Sequence, residues 1–122
     1  MSISDGSASP NDHDSAVEAL YRLTDEIDRS LGELEDARQQ AEALLEVRRS
    51  GRDWQDVVAG QDRPLLLENI STVLGALGTV GSAWRRQQVK ALASEGVSIN
   101  QIAALFGVTR QRISVLLREP GA

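Results

Sequence analysis

The amino-acid sequence predicts an all-α protein, and three observations lead to this fold class. Apolar residues recur with a seven-residue period, without any proline, from residue 15 to about residue 50. A second stretch, Pro64 to Trp84, keeps its apolar residues at helical spacing. From residue 82 to residue 118, glycines and capping residues divide the chain into short helices. We therefore expect a long N-terminal amphipathic heptad helix, a central apolar helix and a C-terminal unit of three helices.

Both ends of the chain are predicted to be short tails. Residues 1–14 are polar and hold almost nothing to bury, so we expect them to be disordered. The single histidine, His13, lies in this stretch, and no neighbouring residue completes a metal or catalytic site around it. Residues 119–122 form the C-terminal tail. The functional part of the chain is therefore expected between residues 15 and 118.

Residues 15–50 predict a long amphipathic helix whose apolar face pairs with another helix. Ser15 can cap its start, with Glu18 three residues later. Thr24 and Arg38 interrupt the heptad seam and lower its stability, although they can fix its register. We expect self-association, because so small a protein has little other surface to cover so long a stripe. The alternative is an ordinary helix packed against its own chain, and the sequence leaves parallel and antiparallel pairing open. The residues expected at the dimer interface are Val17, Leu20, Ile27, Leu31, Leu34 and Leu45.

Residues 51–81 predict a short helix followed by an apolar helix that contains glycine. Gly51 ends the long helix, and Asp53 caps a turn in which we expect Trp54 to pack into the core. Pro64 suits the first turn of the apolar helix. The sequence leaves open whether this helix continues into the next one. Three glycines favour close helix packing or a hinge, and they lack the spacing of a phosphate-binding loop; they are Gly75, Gly78 and Gly81.

Residues 82–118, which we call the head, predict three short helices. These helices are expected at residues 82–95, 98–106 and 109–118. Ser98 and Gln101 form a capping box at the start of the second helix. Gly107 can adopt the left-handed conformation that ends this helix, and Thr109 can cap the third. The apolar residues expected to face the core of the head here are Ile102, Ala103, Leu105, Phe106, Val108, Ile113, Leu116 and Leu117.

Four positions of the head carry a recognisable pattern. Ala103 is small enough to lie where two helices cross, and Gly107 follows four residues later at the corner. Ile113 and Leu116 are the inward aliphatic residues of the third helix. In these positions the head resembles the helix-turn-helix superfamily, and it is most similar to the tri-helical heads of bacterial regulators, recombinases and sigma factors. No strand pattern follows, so no wing is expected.

This resemblance implies a function. It implies that the head binds double-stranded DNA, with residues 109–118 as the recognition helix in the major groove. Proteins of this kind usually bind as dimers on two half-sites, which agrees with the expected pairing of the long helix. The alternative is a helical hairpin that packs within the protein and binds nothing.

Charge is divided unevenly along the chain. The net charge is −5, but residues 1–84 hold seven arginines and sixteen acidic residues, whereas residues 85–122 hold six basic and two acidic residues. A basic head on an acidic body is expected when only the head meets phosphate. Arginine can pair with guanine and glutamine with adenine, so the residues expected to contact bases are Arg110, Gln111 and Ser114. The residues expected to contact the DNA backbone are Thr109, Arg112, Arg118, Arg85, Arg86 and Lys90.

These features predict a bacterial transcriptional regulator that binds specific DNA as a homodimer, in the cytoplasm and associated with the nucleoid. We expect no enzymatic activity, no metal and no cofactor, because the sequence lacks a catalytic triad, cysteine and a phosphate-binding loop. No membrane segment is expected either. The alternative is a protein–protein adaptor that acts on RNA polymerase or another regulator through its acidic helix.

Overall fold

The structure is a computed structural model that describes residues 10–119, with the side chains of residues 15–119. The five helices in this range are α1 (Pro10–Arg49), α2 (Trp54–Ala59), α3 (Leu66–Ser94), α4 (Ile99–Phe106) and α5 (Arg110–Arg118). No strand occurs between residues 10 and 119, which confirms the all-α prediction. Within that range, no helix is both long and apolar enough to span a bilayer.

Helix α1 begins earlier than the sequence predicted. It starts at Pro10, five residues before Ser15, so the expectation that residues 1–14 are disordered is wrong for residues 10–14. Proline is favoured in the first turn of a helix, because an N–H group there has no partner within the helix. The remainder of both predicted tails, residues 1–9 and 120–122, lies outside the described residues. The helix ends just before Gly51, whose φ of 103° is the left-handed conformation expected there.

Helix α2 has the predicted cap but not the predicted core residue. The Asp53 side chain accepts a hydrogen bond from the Asp56 N–H at 2.9 Å, and Val57 is the buried residue of this helix. The prediction that Trp54 packs into the core is wrong, because its side chain is 58% exposed. The Arg48 guanidinium lies 5.1 Å from the centroid of the Trp54 ring. At the surface, the indole thus makes a cation–π contact with Arg48.

Helix α3 is continuous across the boundary drawn from the sequence between residues 81 and 82. It starts at Leu66, two residues after Pro64, and the Glu68 carboxylate accepts the Leu65 N–H at 2.8 Å. Three glycines lie in its interior: Gly75, Gly78 and Gly81. Apart from the neighbouring residues and backbone of α3 itself, a methyl group added at any of them would meet no atom of the described chain within 4 Å. In the described part of the chain, these glycines therefore neither mark a close helix–helix contact nor interrupt α3, in contrast to the expectation from the sequence.

The chain divides into two compact units, and α1 and α3 contribute residues to both. One unit comprises Asp25–Gly78, and the other combines the chain up to Thr24 with the chain from Thr79 onward. In the first unit, Ala37, Val57 and Val73 are buried. There the Asn69 amide donates a 3.4 Å hydrogen bond to the Gln40 side-chain oxygen, which links α3 to α1. The second unit contains the head.

Candidate nucleic-acid interface

The second and third helices of the head, α4 and α5, begin and end at the residues that the sequence indicated, whereas the predicted first helix, residues 82–95, is the last part of α3. The Ser98 hydroxyl accepts a hydrogen bond from the Gln101 N–H at 3.1 Å, and the Gln101 side-chain oxygen accepts one from the Ser98 N–H at 3.0 Å. This confirms the capping box at the start of α4. Gly107, with φ 67°, ends α4 in the left-handed conformation. The Thr109 hydroxyl then caps α5 by accepting the Arg112 N–H at 3.0 Å.

An aliphatic core fixes α4 and α5 against the end of α3. Its buried members are Val89, Ile102, Ala103, Ile113 and Leu116. Phe106, Val108 and Leu117 are partly buried against it, as predicted. Leu105 was also expected to face this core, but its side chain is 69% exposed. The buried arc of α4 is centred on the residues around Ile102, Ala103 and Phe106, and Leu105 lies roughly 100° away around the helix axis.

Gly107 in the head and Gly78 in α3 allow a matched test of the backbone. We expect Gly107→Ala to destabilise the protein by about 1 kcal/mol, because an L-residue at φ 67° is strained. Gly78→Ala is expected to stabilise it by about 0.5–1 kcal/mol, because alanine is the better residue inside a helix. Apart from the adjoining backbone, added methyl groups meet no atom within 4 Å at either site, so the two substitutions differ mainly in their backbone effects. Urea unfolding followed by circular dichroism measures both changes. Equal effects of the same sign would contradict the assigned conformations.

The residues expected to contact bases lie at the exposed start of α5. Arg110 and Gln111 are exposed, whereas Ser114 is half-buried. Gln111 lies on the side of α5 opposite the buried Ile113, and Arg118 lies on the same side two turns later. The structure therefore brings glutamine and arginine side chains onto one outward face of a short, capped helix.

The basic residues expected to contact the DNA backbone fall into two groups. Arg85, Arg112 and Arg118 are exposed, as is Thr109, whose hydroxyl also caps α5. Arg86 and Lys90 are half-buried and bind Glu119, the residue that follows α5. The Glu119 carboxylate accepts a hydrogen bond from the Arg86 Nε–H at 2.9 Å. The Glu119 carbonyl oxygen accepts a hydrogen bond from Lys90 Nζ, also at 2.9 Å.

Glu119 was not assigned to the site from the sequence. It anchors the end of α5 to α3, so Arg86 and Lys90 serve the packing of the head in this structure. The one signal in the sequence was its charge, because Glu119 and Glu95 are the only acidic residues after residue 84. An acidic residue that directly follows one helix can form ion pairs with basic residues on a neighbouring helix.

The residues expected at a dimer interface form an exposed stripe on α1. All six are exposed: Val17, Leu20, Ile27, Leu31, Leu34 and Leu45. The buried positions of α1 lie roughly 100° around the helix from this stripe; they are Ala19, Glu26, Ser30 and Ala37. The carboxylate of Glu26 is bonded within the helix, to Arg29 at 2.6 Å and to the Ser30 hydroxyl at 3.4 Å. The helix thus turns small and polar residues inward and leaves its heptad leucines outside.

The described residues hold no group of three or more His, Cys, Asp or Glu side chains placed to bind a metal ion. Comparison of the chain with models of protein families, with curated proteins and with solved structures found no match. The function must therefore be argued from the chemistry of the head and of α1.

Proposed function

We propose that the protein binds double-stranded DNA sequence-specifically, as a bacterial transcriptional regulator, with α5 as the recognition helix of a helix-turn-helix head. The observation that carries the proposal is the exposed start of α5. Gln111 projects there from the side of the helix opposite the core residues Ile113 and Leu116, and Arg110 and Arg112 are exposed on either side of it. A helix that is packed firmly on a core, with exposed side chains that can each make two hydrogen bonds to one base edge, is suited to the major groove.

Charge favours the same function. The chain from residue 85 onward carries four more basic than acidic residues, while the preceding chain is strongly acidic. The exposed arginines Arg85, Arg112 and Arg118 add phosphate contacts that position the helix. The acidic remainder is repelled by phosphate, so it limits contact to the head. A homodimer would supply the second head that a two-half-site operator requires.

A second candidate function is that of a protein–protein adaptor for RNA polymerase or another regulator. The exposed apolar stripe of α1, flanked by acidic residues, favours it, because exposed stripes of this kind commonly mark interaction surfaces. Leu105 adds an exposed apolar side chain in the head. In this case the head would dock onto protein instead of DNA.

The test is an electrophoretic mobility assay on genomic fragments with excess non-specific competitor DNA. We expect the wild-type protein to retain a small subset of fragments. Gln111→Ala is expected to relax the base preference at one position, at a cost of about 1–3 kcal/mol at that base. Arg112→Ala is expected to weaken binding to all fragments alike and to reduce the salt dependence. Retention of no fragment, or of every fragment equally, would contradict the proposal, and the first result would favour the adaptor.

A further inference from the structure

The stretch of α1 from Val17 to Leu34 carries the densest part of its exposed apolar stripe. We define the seam by its heptad core positions: Val17, Leu20, Thr24, Ile27, Leu31 and Leu34. All six are exposed, Leu31 at 61% and Leu34 at 37%, and Tyr21 flanks them at 67%. With Tyr21, they expose roughly 600 Å² per copy, so a symmetric pair that covers them completely would bury about 1,200 Å² from these residues, at the lower end of specific interfaces.

The single hydroxyl in the seam does not oppose burial. The Thr24 Oγ1 donates a hydrogen bond to the Leu20 carbonyl oxygen at 3.0 Å, within its own helix. A buried polar group is costly only when it loses its partners. Thr24 can therefore enter an apolar contact with its hydrogen bond intact, and the seam is continuous from Val17 to Leu34.

Arg38 marks the end of the seam. It occupies the next heptad core position, and its guanidinium binds the carboxylates of Glu35 at 2.6 Å and Glu42 at 2.7 Å. The hydrogen bond from Arg38 holds the pKa of the Glu35 carboxyl below its usual range, so Glu35 and Arg38 form a charged pair. Moving this exposed, charged group into an apolar interface would remove three charges from water, which is unfavourable.

Only one antiparallel register uses the whole seam. In antiparallel pairing, Val17 meets Leu34 of the second copy, Leu20 meets Leu31, and Thr24 meets Ile27. Shifting the helices by one heptad places Arg38 against Leu20 in one direction and leaves Leu31 and Leu34 without partners in the other. Parallel pairing in register places Arg38 against Arg38 in the layer that follows Leu34.

We propose that a second copy of this chain covers the seam, with the two α1 helices antiparallel and residues 17–34 in contact. This names the partner and the geometry of the homodimer in the proposed function, and it rests on that dimer but not on DNA binding. The same register brings Tyr21 next to Asp28 of the second copy, where its hydroxyl can donate to a carboxylate.

Cysteine cross-linking tests the register, because the natural chain contains no cysteine. Disulfides need Cα atoms about 4.4–6.8 Å apart. We expect the double variant Leu20→Cys/Leu31→Cys to form covalent dimers under mild oxidation, while each single variant alone does not. Within one helix these two positions are about 16 Å apart, so they cannot join in the same chain. Ala43→Cys, exposed and on the opposite side of α1, controls for random collisions.

Light scattering tests the pairing itself. We expect a dimer for the wild-type protein, a monomer of unchanged helix content for Leu31→Glu, and a dimer for the matched control Ala43→Glu. A wild-type monomer would overturn the inference, as would efficient cross-linking of either single cysteine variant, which indicates parallel pairing. DNA binding is read separately in the mobility assay. A cross-linked antiparallel dimer that binds no DNA leaves this inference standing and removes the proposed function.

Discussion

Replacing Arg110 and Arg112 together by alanine is expected to lower affinity for the specific DNA site on the order of 100-fold. Both side chains are exposed at the start of α5, where they can reach the major groove and its phosphates. One bidentate contact to a base edge is worth about 1–3 kcal/mol, and loss of a phosphate contact adds to this. Titration in the mobility assay at fixed salt concentration measures the change.

The matched control for this experiment removes the same charge elsewhere. Arg22 and Arg49 are exposed arginines on α1, each paired only loosely with a glutamate on the same helix. The double variant Arg22→Ala/Arg49→Ala is expected to bind DNA as the wild-type protein does, since surface ion pairs of this kind contribute little to stability. Unchanged specific binding by the Arg110/Arg112 variant would sink the assignment of α5 as the recognition helix.

Truncation of the core of the head is expected to have the largest effect on stability. Ile102 is fully buried, and Ile102→Ala is expected to lower the free energy of unfolding of this unit by about 3 kcal/mol, through lost burial and a residual cavity. Such a loss is a large part of the stability of a small unit. Urea unfolding gives the magnitude, and hydrogen exchange of the α4 and α5 amides shows whether the loss is confined to the head.

Leu105 provides the control on the same helix. Leu105→Ala removes a comparable aliphatic side chain that is largely exposed, and we expect a change within about 0.5 kcal/mol. If this variant is as unstable as Ile102→Ala, then Leu105 is covered in solution and the burial described for α4 is incorrect. If it is stable but binds its partner less well, the exposed leucine belongs to an interface.

The parts of the head that the sequence predicted correctly depend on short-range chemistry. A cap is formed by residues three positions apart, as at Ser98 and Gln101, and a left-handed corner requires a glycine such as Gly107. These interactions are complete within one turn, so they can be read from the order of residues alone. The same reasoning correctly identified Asp53 as a cap and Gly51 as the end of α1.

The predictions of burial from the sequence were wrong where a side chain had two possible environments. Trp54 and Leu105 are large and apolar, and hydrophobicity alone predicted burial for both. Trp54 is instead exposed and contacts the Arg48 guanidinium, and Leu105 falls outside the arc of α4 that meets the core. Glu119 was missed because its partners are 29 and 33 residues away in the chain. Contacts at such separation have no local pattern in the sequence.

The sequence by itself determined the all-α class, the ends of α2, α4 and α5, and the heptad stripe of α1, because these follow from backbone preferences and helical periodicity. Only the tertiary structure decided which side of α1 turns inward. It buries Ala19 and Ala37 and leaves Leu31 exposed, although hydrophobicity alone favours the reverse. The choice depends on which surfaces of distant helices fit together, and small residues allow close approach. That fit leaves the heptad leucines exposed.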